Sequence, residues 1–348
     1  MKKTMLSLLA AACTATVFAQ SNTLSLSQTG NGNQAPVTQR GLGNTLTLSQ
    51  TGDANTVRLY GQVSQQGQNN TGAINITGNS NQFSFSQGGS SNTGDLSVTG
   101  NNNLSSIYAF GSGNETSIKQ LGDNNQAGAT SSDLIGGHSQ ISIEQMGNGN
   151  VGNVLFGNGG NNKATIAQTG ENNQSNVTAR GYDSYTPAFF SSNNQVSVTQ
   201  NGADNQSNVN IWYSSDNQIT IEQNGNGNSA VTSHTGGINF GQGNYNQTYI
   251  AQTGEGNLAN VSQPGNSNTA SVTQQGNVNT AYLSQNGSLH AATIRQEGNS
   301  NTLTGLTSSF ASQSGVGNTL TLTQTGDGNM LRFSQTGNGN TATVTQGR

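Results

Sequence analysis

Hydrophobic residues along this chain come in short alternating runs. In "NTLTLSQTG", Asn44, Leu46, Leu48 and Gln50 fall on one face of an extended strand, and Thr45, Thr47 and Ser49 fall on the other. A helix would scatter these residues around its circumference, and the chain is poor in the Ala, Glu, Lys and Leu that helices favour. Each run ends in a polar, Gly-bearing segment such as "TGDA", the composition of a turn. The pattern predicts strands with one buried face throughout.

The runs are copies of one phrase. In "NTLTLTQTGDGNMLRFSQTGNGNTATVTQ", Asn318, Asn329 and Asn340 stand eleven apart, and Gln324, Gln335 and Gln346 keep the same step. The unit N-x5-Q-x-G-x-x extends from Asn22 to Asn340, with Ser139 and His290 each standing in an Asn slot. Numbered from Asn22, every odd unit has an aliphatic residue four positions after its Asn, such as Leu26, Ile74, Ile118 and Val344. Even units are looser there, with Ala129, Thr232 and Gly305. The step breaks after the units opening at Asn55, Asn125, Asn150, Asn173, Asn205, Asn228 and Asn301, and all of these are even. Solenoids collect insertions on one face. The chain is therefore expected to be an all-β solenoid of 22-residue coils, with two strands per coil and insertions on one edge, the second turn. About thirteen coils at roughly 4.8 Å each give a stack about 60 Å long.

The core of such a stack is thin, because each strand offers one or two aliphatic residues between Asn and Gln. Buried amides are costly unless bonded, and stacked identical amides bond their copies above and below. The expected ladder residues include Asn44, Leu48, Gln50 and Gly52 early in the chain, and Asn217, Ile221, Gln223 and Gly225 midway. Asn246, Ile250, Gln252 and Gly254 follow, then Asn318, Leu322, Gln324 and Gly326. The first and last units are as regular as the rest. Leu24, Leu26 and Gln28 at one end, with Val344 and Gln346 at the other, are expected to form a head-to-tail interface. An interface that does not close into a ring generates filaments.

Composition sharpens this picture. The 348 residues are 29% hydrophobic and 7% charged, with 48 Gly and 3 Pro. Disorder usually brings high charge and Pro, whereas an Asn/Gln-rich chain of low charge belongs with β-aggregating sequences. A net charge of −4 supplies no basic surface for nucleic acid. Lys2 and Lys3 precede an apolar stretch from Met5 to Val17, and "VFAQ" puts Val17 and Ala19 at the small-residue positions of a cleavage site. Residues 1–19 are expected to be a signal peptide and residues 20–348 the repeat domain. Cys13, the single cysteine, lies inside the leader, and "LAAAC" leaves a lipoprotein signal open, although Ala10 stands where Leu is usual. No later apolar run approaches membrane-spanning length.

Three stretches carry a family likeness. "NTASVTQQGNVNTAYLSQ" sets out Gln274, Gly276, Asn279, Ala281 and Gln285; "QTGEGNLANVSQ" sets out Gln252, Gly254, Asn257, Ala259 and Gln263. "QTGNGNQAPVTQ" does the same with Gln28, Gly30, Asn33, Ala35 and Gln39. This phrase resembles the curlin repeat, the building unit of curli amyloid fibres on Gram-negative bacteria, and the resemblance covers essentially Asn22 to Gln346. It implies a secreted subunit that crosses a dedicated outer-membrane pore unfolded and polymerises on the cell surface, started by a nucleator, in a biofilm matrix. Three features depart from the family. The Ser that opens its phrase is usually Asn here, little chain separates the cleavage site from the first repeat, and the repeats are many more, with long insertions. These departures leave the export route and the choice between major subunit and nucleator open.

Other chemistry finds little support. "GNGNVG" from Gly147 to Gly152 satisfies a dinucleotide-loop pattern, but an Asn-rich β repeat follows it rather than a helix. His138, His234 and His290 have no ligand-spaced neighbours, and His290 replaces a ladder Asn. Asp53, Asp123, Asp327 and Glu171 lack the GGxGxD turn of calcium β-rolls and read instead as charge that slows premature pairing. No catalytic set, metal or cofactor is expected. An ice-binding face would need unbroken Thr-x-Thr ladders such as Thr321 and Thr323, and Asp95, Lys119, Glu144, Glu222 and Arg295 interrupt the equivalent slots. A polysaccharide lyase would need a charged groove that ten Lys plus Arg do not supply. A monomeric surface adhesin is the remaining alternative, separated from a fibre subunit by whether the chain polymerises. Aromatics gather in the insertions, with Tyr182, Tyr185, Phe189 and Phe190 in the longest, Trp212 and Tyr213 in a short one, and Phe240 and Tyr245 in another. They are expected to project from one side.

Overall fold

The computed structural model describes residues 15–18, 21–58, 61–132, 137–181, 190–236 and 245–347. All regular structure among them is β, arranged in two parallel sheets that face each other. The strands of the odd units form one sheet of 14 strands, here called the odd sheet. Those of the even units, together with Ala15–Phe18 at one margin, form the second, of 16 strands, the even sheet. Successive strands of each sheet lie one coil apart, so the chain crosses from sheet to sheet at every corner.

The alternation in the sequence appears directly as burial. Along Thr45–Thr51 the side chains alternate outward and inward, with Leu46 and Gln50 fully enclosed and Leu48 nearly so. Pairing is in register, placing Asn-slot on Asn-slot and aliphatic on aliphatic: Ile221 lies between Val198 and Ile250. The core is one apolar column per sheet, and the two columns share a narrow interior. Size is matched across it. Phe85 of the even sheet points at Gly72 and Gly94 of the odd sheet, where an added Cβ would come within 2.9 and 2.6 Å of its ring.

Two glycine-type positions make the corners. The repeat Gly two residues after the Gln has φ near +110°, as at Gly52 (112°) and Gly225 (116°), a conformation closed to L side chains. It also abuts the backbone of the next coil, so a Cβ at Gly52 would stand 2.0 Å from the Gly78 carbonyl oxygen. The residue just before each Asn is left-handed too, at φ near +60°, and there Asn69, Asp204, Tyr245, Val278 and Leu289 are accepted.

The insertions all fall in even units, as the spacing predicts, but not all at the turn. Those following Asn125, Asn150, Asn173, Asn205 and Asn228 come after the even strand. Two interrupt the strand itself. Val57 pairs with Phe83 and Val63 with Phe85, so residues 58–62 replace one strand residue. The strand Thr302–Gly305 likewise gives way to Ala311–Val316, and residues 306–310 loop out of the even face between them. Of the aromatics expected on the insertion edge, Tyr182, Tyr185, Phe189 and Phe240 lie outside the described residues. Trp212 and Tyr245 are exposed, Phe190 and Tyr213 half-buried.

Candidate functional site

The surface with functional potential is the stack's own bonding pattern, because the same groups that join coil to coil are offered at its ends. Each Asn closes a corner. Asn217 donates its backbone N–H and Nδ2 to Oδ1 of Asn194, at 3.1 and 2.8 Å, and its Oδ1 accepts the N–H of Asn246 at 3.1 Å. Spare Nδ2 protons reach backbone carbonyls, as Asn44 does to Gly67 (3.0 Å), Asn246 to Gly265 (2.8 Å) and Asn318 to Gly337 (2.8 Å). Fully buried amides are thereby satisfied, which removes the desolvation cost.

The Gln ladder runs in the opposite sense. Gln223 donates Nε2 to Oε1 of Gln252, and Gln324 to Gln346, both at 2.8 Å. Each also bonds a carbonyl across the interior, Gln223 to Gln206 at 3.0 Å, Gln252 to Ser229 at 2.9 Å and Gln324 to Thr302 at 3.2 Å. The second bond ties the two sheets together, a role that strand periodicity alone does not show. On the odd sheet the ladder is continuous from Gln120 to Gln346.

The expected ladder residues are placed as follows. Leu48, Ile221, Ile250 and Leu322 are buried in the apolar column, and Gly52, Gly225, Gly254 and Gly326 take positive φ at the corners. Gln50 accepts from Gln28 at 2.5 Å, but its upward neighbour is Ile76, followed by Val98, so the ladder is interrupted there. The even sheet has a longer gap, its Gln slots taken by Ala109, Ser131, Phe156, Ala179, Ile211 and His234. Apolar side chains fill four of these slots, and Ser131 and His234 take the other two.

Two histidines occupy amide slots. His290 acts as an Asn, its Nδ1 accepting the N–H of Asn318 at 3.2 Å while Nε2 bonds the Asn286 carbonyl at 3.2 Å. His234 stands in a Gln slot, with Nε2 2.9 Å from Thr248 Oγ1, whose hydroxyl donates to Gln263 Oε1. That hydroxyl proton is committed, so Nε2 carries the imidazole proton and Nδ1 is left as a buried acceptor without a partner. Burial pushes this imidazole down to about 3. On the outer face of the odd sheet, burial first and Glu222 second raise the Tyr249 phenol above its ordinary value.

At the first coil Leu24, Leu26 and Gln28 are half-buried on the strand Thr23–Thr29, whose partner on one side is Thr45–Thr51. At the last, Val344 and Gln346 lie on Thr341–Gly347, paired with Thr319–Thr325. The glycine-rich run from Gly147 forms a corner between two strands rather than a helix entry. Among the described residues no three His, Cys, Asp or Glu side chains gather where a metal ion could be held.

The family model described as curlin associated repeat matches residues 19–52, 265–298 and 315–347. No curated protein matches the chain. The matched segments lie towards the two ends, and the same Asn corners, Gln bonds and positive-φ glycines continue through the coils between them. The chain thus carries the curlin associated repeat in these three segments.

Proposed function

We propose that this protein is a secreted, self-assembling subunit of curli-like extracellular fibres, giving adhesion and cohesion to a biofilm matrix. The observation that carries the reading is Asn22 Nδ2, buried and without a partner among the described residues. Within the stack a later Asn donates to the earlier one, as Asn340 does to Asn318 Oδ1 at 2.9 and 3.0 Å. A second chain seated on Thr341–Gly347 gives Asn22 that acceptor in Asn340 Oδ1. The same junction lets Gln346 Nε2 donate to Gln28 Oε1, continuing the sense of every ladder step. It also covers Leu24, Leu26 and Val344. Each buried amide so satisfied contributes about 1 kcal/mol net.

The reading includes a cleaved leader over residues 1–19, an outer-membrane pore and a nucleator, as the curlin likeness implies. The leader bears on assembly, because Ala15–Phe18 pairs with Val37–Arg40 at the outer margin of the even sheet. Removing it opens that row of N–H and C=O groups to another strand. The test is assembly of purified residues 20–348. Expected are Thioflavin-positive fibres with a reflection near 4.8 Å, and loss of growth in Leu26→Asp and Val344→Asp. A folded chain that stays monomeric at concentrations of tens of micromolar would support the adhesin reading instead.

A further inference from the structure

The two outer surfaces of the solenoid differ in charge. No Asp or Glu lies on any strand of the even sheet, whose outer face exposes Arg40, Arg180 and Arg332, with Arg58 beside them in the insertion at 58–62. The corner that follows each odd strand is the reverse. It carries Asp53, Asp123, Glu171, Asp204, Glu255 and Asp327, and no Lys or Arg. Aromatics divide the same way. The even face presents Phe110 (41% exposed), Trp212 (37%), Tyr108 and Tyr282, while the odd face has Tyr249 alone among the described residues. On the odd face the basic groups are partly neutralised locally, as Lys119 by Glu144 and Arg295 by Glu297.

We propose that the even face of one solenoid docks on the acidic corner of a second copy beside it, so that filaments associate sideways. The proposal rests on the fibre reading above. Two copies standing at the same height bring opposite charges level. Arg180 follows the odd strand Lys163–Glu171 on the same coil, so it meets the neighbour's coil at Glu171; Arg332 meets Asp327 and Arg58 meets Asp53 by the same count. Phe110 and Trp212 supply the apolar contact that an interface core needs. The contact is heterologous, one face against a different one, so it can propagate from filament to filament and build bundles.

The test separates lateral contact from growth. Fibres of wild type are compared with the triple variant Arg58→Glu, Arg180→Glu, Arg332→Glu, none of which lies in the stack interior. Bundle width is read by negative-stain microscopy and growth by Thioflavin kinetics. Expected are wild-type bundles at low salt that separate into single filaments at about 0.5 M NaCl, where screening reaches only about 4 Å. The triple variant should give single filaments at all salt concentrations, with growth within about twofold of wild type. Adding Glu171→Lys, opposite the Arg180→Glu carboxylate, should bring bundling partly back. Bundles in the triple variant as wide as those of wild type would overturn the proposal, and so would a variant that loses only adsorption to a polyanionic bead. Wild type forming no filaments would overturn the fibre reading itself, a separate and earlier failure.

Discussion

A single methyl group at Gly225 would stand 2.1 Å from the carbonyl oxygen of Gly254 in the next coil, at a φ of 116°. Backbone strain and overpacking each cost about 1–3 kcal/mol, so Gly225→Ala should lower stability by roughly 3 kcal/mol or more. Gly227 sits at φ 63° with nothing closer than 4.0 Å, and Gly227→Ala should cost only the left-handed penalty of about 1–2 kcal/mol. Denaturant midpoints of the dilute monomer measure both, and equal losses would mean that coils are not in this contact. His234 gives a pH dependence of known sign. The folded chain keeps its imidazole neutral down to about pH 3, while the unfolded chain takes up a proton near 6.5. Falling pH therefore favours unfolding, by roughly 1.4 kcal/mol per unit below 6.5, until the folded value is reached. His234→Gln restores the residue that fills this slot at Gln263, and its stability advantage should grow between pH 6.5 and 4.5. A difference independent of pH would show that His234 is hydrated.

At the scale of one strand, inward and outward positions must behave differently. Ile221 is fully buried between Val198 and Ile250, and Ile221→Asp places an unpaired carboxylate in the apolar column. It should abolish assembly, while Thr220→Asp on the outer face changes the growth rate by no more than about threefold. Gln223→Ala with Gln252→Ala breaks three consecutive ladder bonds, from Gln200 through to Gln274, and two ties to the even sheet, at roughly 1–3 kcal/mol for each group left unpaired. Thioflavin kinetics should show slower fibre formation. The strand faces, the odd and even sheets and the corner glycines were all legible as period two, period eleven and parity. The strand interruptions are legible in the spacing too. Gln65 to Asn70 and Gln313 to Asn318 keep the normal spacing of five, so the extra residues must precede the Gln, inside the strand.

At the scale of the whole molecule, the described ends of the long insertion after Arg180 belong to the stack. Ser191 is fully buried, donating to the Ser214 carbonyl at 2.9 Å and accepting from Asn194 at 3.0 Å, and Ser192 Oγ accepts the Gly160 N–H at 3.2 Å. A deletion spanning residues 181–192 would cut into the stack, so the dispensable part is narrower. Shortening residues 182–189 to a plain turn should leave fibre growth intact, since halving a loop changes closure entropy by only about 0.6 kcal/mol. Growth lost in that variant, with Ser191 and Ser192 retained, would assign the segment to the core.

By itself the sequence determined the class of fold, the coil length and the alternation of two sheets, because one phrase copied at a constant step admits one periodic solution. It also marked the amides, since a regular polar residue beside an aliphatic one must be buried and bonded to its copy. Tertiary structure alone decided which way each ladder runs, and that Gln also bonds across to the opposite sheet. It decided that Phe85 fits because Gly72 and Gly94 leave room, and that Val278 and Leu289 are held in left-handed corners. These outcomes depend on what one coil places above, below and opposite a residue. Periodicity gives a residue's place within a coil, whereas the contacts between coils exist only once the stack has formed.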